Sequence, residues 1–143
     1  MSVLLALWIV GVMPISARPR AKRVVMIALD GISVPGFTTA HTPNLDNLLA
    51  QGALSLTTRV VMPSVTLPNW TSHLTGSGPE QHGVVDNGWQ IDKKGFPAVE
   101  IDKEGYYPSV FKVMKEEIPE CKTAFYYNWI NLFYPYNKKY LDE

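Results

Sequence analysis

The sequence holds a single cysteine, Cys121, so no disulfide can form within the chain. It holds no surplus of either charge, since thirteen basic residues balance thirteen acidic ones. A nucleic-acid polymer or an anionic membrane surface therefore meets no global field, and neither is an expected partner. Histidine is scarce, with only His41, His73 and His82. The longest apolar run, Val3 to Met13, covers eleven residues, whereas a helix crossing a bilayer needs about 20. No stable membrane span is expected. There is no internal repeat and no low-complexity tract.

What that short run does fit is the apolar core of a secretory signal, with Ile15-Ser16-Ala17 as the cleavage site. Residues 1–17 are uncharged, and the basic cluster Arg18, Arg20, Lys22 and Arg23 follows the run instead of preceding it. The expectation is an exported protein with residues 1–17 as signal peptide. A buried first helix or an uncleaved membrane anchor is the alternative. The 143 residues suffice for one domain, which at this size buries about two-thirds of its unfolded surface.

Arg23 to Leu29 is compact, apolar and rich in β-branched residues, and it ends at Asp30-Gly31. That pattern predicts a buried parallel strand. Ligands of open α/β sheets sit at the carboxyl ends of strands, where Asp30 stands. Asp30 is either a turn aspartate or a ligand-binding one. Ser33 to His41, with Pro35 and Gly36, reads as a loop. Thr42 then caps a helix with Pro43 in its first position, Leu45, Leu48 and Leu49 as its apolar stripe, and Gly52 as its end. Residues 53–62 have extended-type character. Further on, Gly88 to Asp92 and Phe96 to Ile101 are candidate short strands around Lys93-Lys94-Gly95. Pro108 opens a helix carrying Val110, Phe111, Val113 and Met114. Lys122 to Trp129 reads as a second buried strand, its aromatics core rather than a base-stacking platform because no basic residues interleave there. Asn131 to Glu143 reads as helical, interrupted by Pro135. Cys121 reads as a small buried residue.

The densest signal is Met62 to Asn87. Pro68 suits the first turn of a helix, and Leu67, before a proline, is pushed toward an extended conformation. A helix from about Pro68 to Leu74 or Thr75, stopped by Gly76, Gly78 and Pro79, places Thr66 at its N-terminus. Free N–H groups and the helix dipole favour an anion there. Thr66 is then either an N-cap or a nucleophile for phosphoryl transfer.

Taken together, Val24 to Gly31, Thr42 to Leu48 (TPNLDNL), Thr66 to Asn69 (TLPN), Thr75-Gly76 with Pro79 to Gly83, and Asp86-Asn87 form an ordered motif set. It resembles the alkaline phosphatase superfamily, in its type I phosphodiesterase/nucleotide pyrophosphatase branch. The match is close over residues 24–90 and loose beyond. The resemblance implies an α/β fold, a parallel-sheet core with helices on both faces, incomplete in this chain. It implies hydrolysis of phosphodiester or pyrophosphate bonds with Thr66 as nucleophile and a phospho-threonine intermediate. Asn87 would donate to a phosphoryl oxygen, and the Leu67 N–H would help.

Two divalent cations, zinc by the family's habit, would be held by Asp30, Thr66 and further Asp and His ligands. Those further ligands match no motif up to Glu143 and are expected beyond it. His41, His73 and His82 do not replace them, and His82 belongs to a turn the family uses structurally. The substrate is a small phosphodiester or nucleotide. Leu67 and Trp70-Thr71 stand where nucleotide-cleaving members often have Phe and His-Tyr. Leu67 would keep apolar contact with a base but lose ring stacking, worth roughly 1–3 kcal/mol. Two other readings stand beside this one: a phosphate-monoester hydrolase of the same superfamily, and a non-catalytic fragment lacking half the metal site.

Overall fold

The computed structural model describes residues 22–93 and 95–143. The expected signal peptide, residues 1–17, and Lys94 of the expected turn lie outside the described residues. The chain divides into two units, Met1–Gly31 and Ile32–Glu143. No helix among the described residues is long and apolar enough to cross a membrane.

In the first unit, residues 23–29 join no ladder, and Val24 is 82% and Ile27 80% exposed. The expected buried strand is corrected on both counts. A strand exists through the N–H and C=O groups of its neighbours. Among the described residues no strand is formed anywhere. The same correction covers 88–92, 96–101 and 122–129. The parallel sheet is therefore not realised in the described residues. The apolar Leu54, Leu56, Val60 and Met62, in the extended-type run, are likewise exposed.

The second unit is helical. α1, Val34–Thr39, replaces the expected loop. The Ser33 hydroxyl accepts from the Gly36 N–H, Pro35 sits in the first turn, and the Thr38 and Thr39 hydroxyls donate to Pro35 C=O at 3.2 and 2.8 Å. Capping outweighed the Pro-Gly pair that suggested a turn. α2, Pro43–Leu49, starts where expected and ends ahead of Gly52. Its Leu48 stays 69% exposed, with no sheet face to cover the stripe.

α3, Thr66–Thr75, and α4, Pro79–His82, are separated by Gly76, whose φ of 68° suits a glycine closing a helix. α3 buries one face: Leu67, Pro68, Thr71 and Leu74. Its two ends seat in two small cores. Leu67 packs with Val84 and Trp89, and Leu74 with Phe111 and Tyr136. Gly83 closes α4 at φ 75°, and a Cβ there would meet the Phe96 carbonyl oxygen at 2.6 Å, so a side chain is excluded.

α5, Val110–Glu117, is capped by Ser109 and buries Phe111. Phe125 packs on Phe111 and Tyr136, with ring centroids 5.6 and 5.5 Å away. Tyr126 is 75% exposed, so only part of that aromatic segment is core. Pro135 does interrupt the last segment. Two 3₁₀ turns, Ile130–Phe133 and Lys138–Tyr140, flank it. Cys121 is half-buried, its thiol donating to the Met114 carbonyl at 3.5 Å.

Candidate functional site

The site is built around the first turn of α3. Val65, at φ −120° and ψ 162°, is the N-cap, so Thr66 is the first helical residue and not the cap. A valine cap offers no side-chain acceptor, and the helix therefore starts with unsatisfied N–H groups. One of them is taken from a distance: the Leu67 N–H donates to Asn87 Oδ1 at 2.8 Å. That bond brings Asn87 to the residue beside Thr66. Because a backbone N–H can only donate, it fixes Oδ1 inward and leaves the amide nitrogen of Asn87 to donate elsewhere. Thr66 and Asn87 are both half-buried.

Asn87 is held in two further ways. Asp86 Oδ1 accepts from the Gly88 N–H at 2.7 Å, closing a tight turn around it. The Asn131 amide donates to the Asn87 backbone carbonyl at 2.8 Å. The approach to Thr66 is fixed by Asn69, which accepts from the Val61 N–H at 2.9 Å and donates to the Pro63 and Val65 carbonyls at 3.2 and 2.8 Å. An asparagine one turn into a helix, folded back over the incoming chain, thereby clamps the loop that delivers the threonine.

Leu67 differs from expectation. Its side chain is fully buried, at 0% exposure. Positions 67, 71 and 74 share one helix face, and that face is the core face. The side chain is thus closed off from solvent, and the Leu67 N–H, expected to help at a phosphoryl oxygen, is instead taken by Asn87 Oδ1. Asp30 belongs to the first unit, where its carboxylate accepts from the Gly31 N–H at 2.7 Å and Gly31 takes a φ of 73°.

Asp30, in the first unit, and Thr66, in the second, each carry a hard oxygen donor of a kind that suits a divalent cation. Among the described residues no group of three or more His, Cys, Asp and Glu side chains is placed to hold a metal ion. His41 is exposed in the connection between α1 and α2. His73 is exposed on α3 and donates from Nδ1 to the Asn69 carbonyl at 2.8 Å.

His82 is committed on both nitrogens. The Val84 N–H donates to Nδ1 at 3.0 Å, so the ring proton sits on Nε2, 3.0 Å from Ser72 Oγ. The ring is 2% exposed. Burial pushes its pKa down from 6.5 to about 4, against a smaller upward pull from Glu80. Protonation would also set N–H against N–H at Val84. The unfolded chain takes its proton near 6.5 while the folded one waits until about 4. Between those values the unfolded state binds more protons, so stability falls as pH drops. About 2 kcal/mol is expected to be lost across that interval and none above it. Denaturant melts at a series of pH values check this, and His82→Gln should flatten the profile. An equally steep profile in the variant would assign the loss to other groups.

Asn131 escaped the sequence reading altogether, lying far along the chain from Asn87 with no local pattern to mark it. Asn69 belongs to the Thr66 to Asn69 motif, but nothing in the motif shows its clamp on Val61, Pro63 and Val65. A polar side chain just inside a helix start is the signal that could reveal it.

A type I phosphodiesterase/nucleotide pyrophosphatase profile matches residues 24–139. Ectonucleotide pyrophosphatase/phosphodiesterase family member 3 of Mus musculus is 35% identical over 66 residues, covering 45% of this chain and 8% of that protein. Bis(5'-adenosyl)-triphosphatase of Mus musculus is 30% identical over 83 residues, covering 57% and 18%. Venom phosphodiesterase of Macrovipera lebetinus is 23% identical over 148 residues, covering 76% and 17%. The chain thus spans under a fifth of the length of these relatives. No solved structure matches it.

Proposed function

The chain belongs to the type I phosphodiesterase/nucleotide pyrophosphatase family, and from that premise we propose that it carries the nucleophile of a hydrolase cleaving phosphodiester or pyrophosphate bonds. The observation that carries the reading is the 2.8 Å bond from the Leu67 N–H to Asn87 Oδ1, which sets a side-chain amide beside Thr66 at a helix start. The family's α/β sheet core belongs to the proposal as well.

Thr66 gives its hydroxyl proton to solvent as Oγ attacks phosphorus, and the bond from phosphorus to the leaving oxygen breaks in line. A phospho-threonine ester results, keeping whatever second substituent the substrate carried. Water then attacks the same phosphorus, frees Thr66 and releases the product. Through both steps Asn87 Nδ2 donates to a non-bridging oxygen as its charge grows. Leu67 holds that amide in place through its own N–H. Two divalent cations, zinc in our proposal, would supply Lewis acidity that makes a threonine hydroxyl nucleophilic at neutral pH. Asp30 and Thr66 would be among their ligands, with the rest of the donor set supplied by groups other than those described.

The substrate class is a small phosphodiester or a nucleotide. The matched relatives are named as nucleotide pyrophosphatases, a triphosphatase and a phosphodiesterase. Export is supported by the apolar run Val3 to Met13 and by the ecto- and venom designations of two relatives. The test is to mix zinc-loaded full-length protein with bis-p-nitrophenyl phosphate, quench in acid, and weigh the peptides. The peptide containing Thr66 is expected to carry one nitrophenyl phosphoryl group. Turnover without any adduct on Thr66 would refute the covalent route. Cleavage of p-nitrophenyl phosphate in preference to the diester would favour the monoester reading.

A further inference from the structure

We infer, on the footing of that hydrolase reading, that Asn131 is a positioning residue that aims the Asn87 amide at the phosphoryl group. Asn87 must hold its nitrogen within hydrogen-bond reach of an oxygen whose charge develops during the reaction. Donor placement of this kind decides the rate, and a displacement of about 1 Å can cost on the order of 10²-fold.

The turn that carries Asn87 does not fix it alone. Its neighbours Asp86 and Gly88 are both exposed, and the bond between them closes the turn without anchoring it to the core. The Leu67 N–H holds the tip of the side chain. Val84 and Trp89 hold the two flanks of the turn in the core, and the freedom that leaves to Asn87 is a rocking of its peptide about that tip, which would swing Nδ2. Asn131 opposes this motion, because its Nδ2 donates to the Asn87 carbonyl itself at 2.8 Å.

Asn131 is a firm post for that purpose. It sits in the 3₁₀ turn Ile130–Phe133, and its own carbonyl accepts from the Tyr134 N–H at 3.1 Å. Trp129, Leu132 and Tyr134 around it pack on the same Leu67, Val84 and Trp89 cluster that seats the first turn of α3. Both ends of Asn87 are thereby referred to one apolar cluster, the side chain through Leu67 and the backbone through Asn131. Thr66, adjacent to Leu67, shares that frame. The nucleophile and the amide keep their spacing because each is tied to the same core.

The test is steady-state kinetics of the zinc-loaded full-length protein on bis-p-nitrophenyl phosphate. The variants are Asn131→Ala, Asn131→Asp, Asn87→Ala and the Asn131→Ala, Asn87→Ala double variant. Asn131→Asp keeps the size but loses the donor. Both single Asn131 variants are expected to lose about tenfold in kcat with KM changed less than about twofold. In the Asn87→Ala background, Asn131→Ala is expected to cost nothing further, since the amide it aims is gone. A merely structural residue would give the same loss in both backgrounds. That additive result would overturn the inference, as would kcat within about twofold of wild type in both Asn131 variants. Unfolding of both variants would assign Asn131 to stability and overturn it too. No turnover by the wild-type protein would refute the hydrolase reading itself, and the inference with it.

Discussion

Thr66→Ala is expected to remove turnover by about 10⁴-fold or more while leaving the fold intact. The two halves of that statement have separate origins. The kinetic half follows from the proposed chemistry: without Oγ there is no atom to form the ester, and what remains is whatever direct attack by water the site permits. The structural half follows from geometry. Thr66 is the first residue of α3, and its hydroxyl caps nothing, since Val65 is the N-cap and no side-chain cap bond is made there. The core face of the helix is Leu67, Pro68, Thr71 and Leu74, which excludes Thr66. Alanine at a first-turn position has good helix propensity. The stability change should therefore stay within about 1 kcal/mol, as for a half-buried residue outside the core face. Thr66→Ser, which keeps an oxygen, should retain measurable turnover and still form the adduct. The measurement is kcat on bis-p-nitrophenyl phosphate beside a denaturant melt. Turnover by Thr66→Ala within tenfold of wild type would remove Thr66 from the chemistry. A melt shifted by several kcal/mol would show that the threonine is structural.

How far the sequence reveals this arrangement depends on the range of the interaction concerned. α2 and α5 are legible because their signals are local: Thr42-Pro43 for one, and an apolar stripe after Pro108 for the other. α3 is legible for the same reason, with Pro68 at its start and Gly76 at its end. α1 is not legible because Pro35-Gly36 favours a turn, while the Ser33 cap three residues away from Gly36 favours a helix, and the cap prevails. The strands expected at 23–29 and 122–129 are a different failure. β-branched composition reports fitness for a pleated surface, but a strand also needs a partner in register, and pairing is a long-range property. Thr66 and Asn87 stand out in the sequence because they sit inside ordered motifs, and the bond from the Leu67 N–H to Asn87 brings the two positions together. The burial of Leu67 is legible only after the helix frame is known, because it depends on which face Thr71 and Leu74 select. Asn131 is not legible at all. Its bond to Asn87 crosses 44 positions, and no spacing rule covers such a distance.

Asn87 offers the sharpest separation of structure from chemistry, because the proposed reaction gives its two amide atoms different tasks. Oδ1 accepts from the Leu67 N–H at 2.8 Å and satisfies one of the donors left over at the start of α3. Nδ2 is the atom assigned to the phosphoryl oxygen. Asn87→Ala removes both. It should cost about 1 kcal/mol of stability for the lost cap and about 2.7–4 kcal/mol of transition-state stabilisation, or roughly 10²–10³ in kcat. Asn87→Asp divides the two tasks. A carboxylate accepts from the Leu67 N–H at least as well, and a negative charge near a helix N-terminus is favourable. Stability should therefore hold or rise slightly. Yet the carboxylate has no proton to give, and it faces an anionic phosphoryl group. Turnover should consequently fall further in Asn87→Asp than in Asn87→Ala, although the aspartate variant is the more stable protein. The comparison needs only melts and kcat for the two variants. If activity instead tracks stability, with aspartate near wild type and alanine impaired, Asn87 serves as a remote helix cap and the donor role is wrong. If aspartate is stable and inactive, the nitrogen is the working atom, and the Leu67 bond is what aims it.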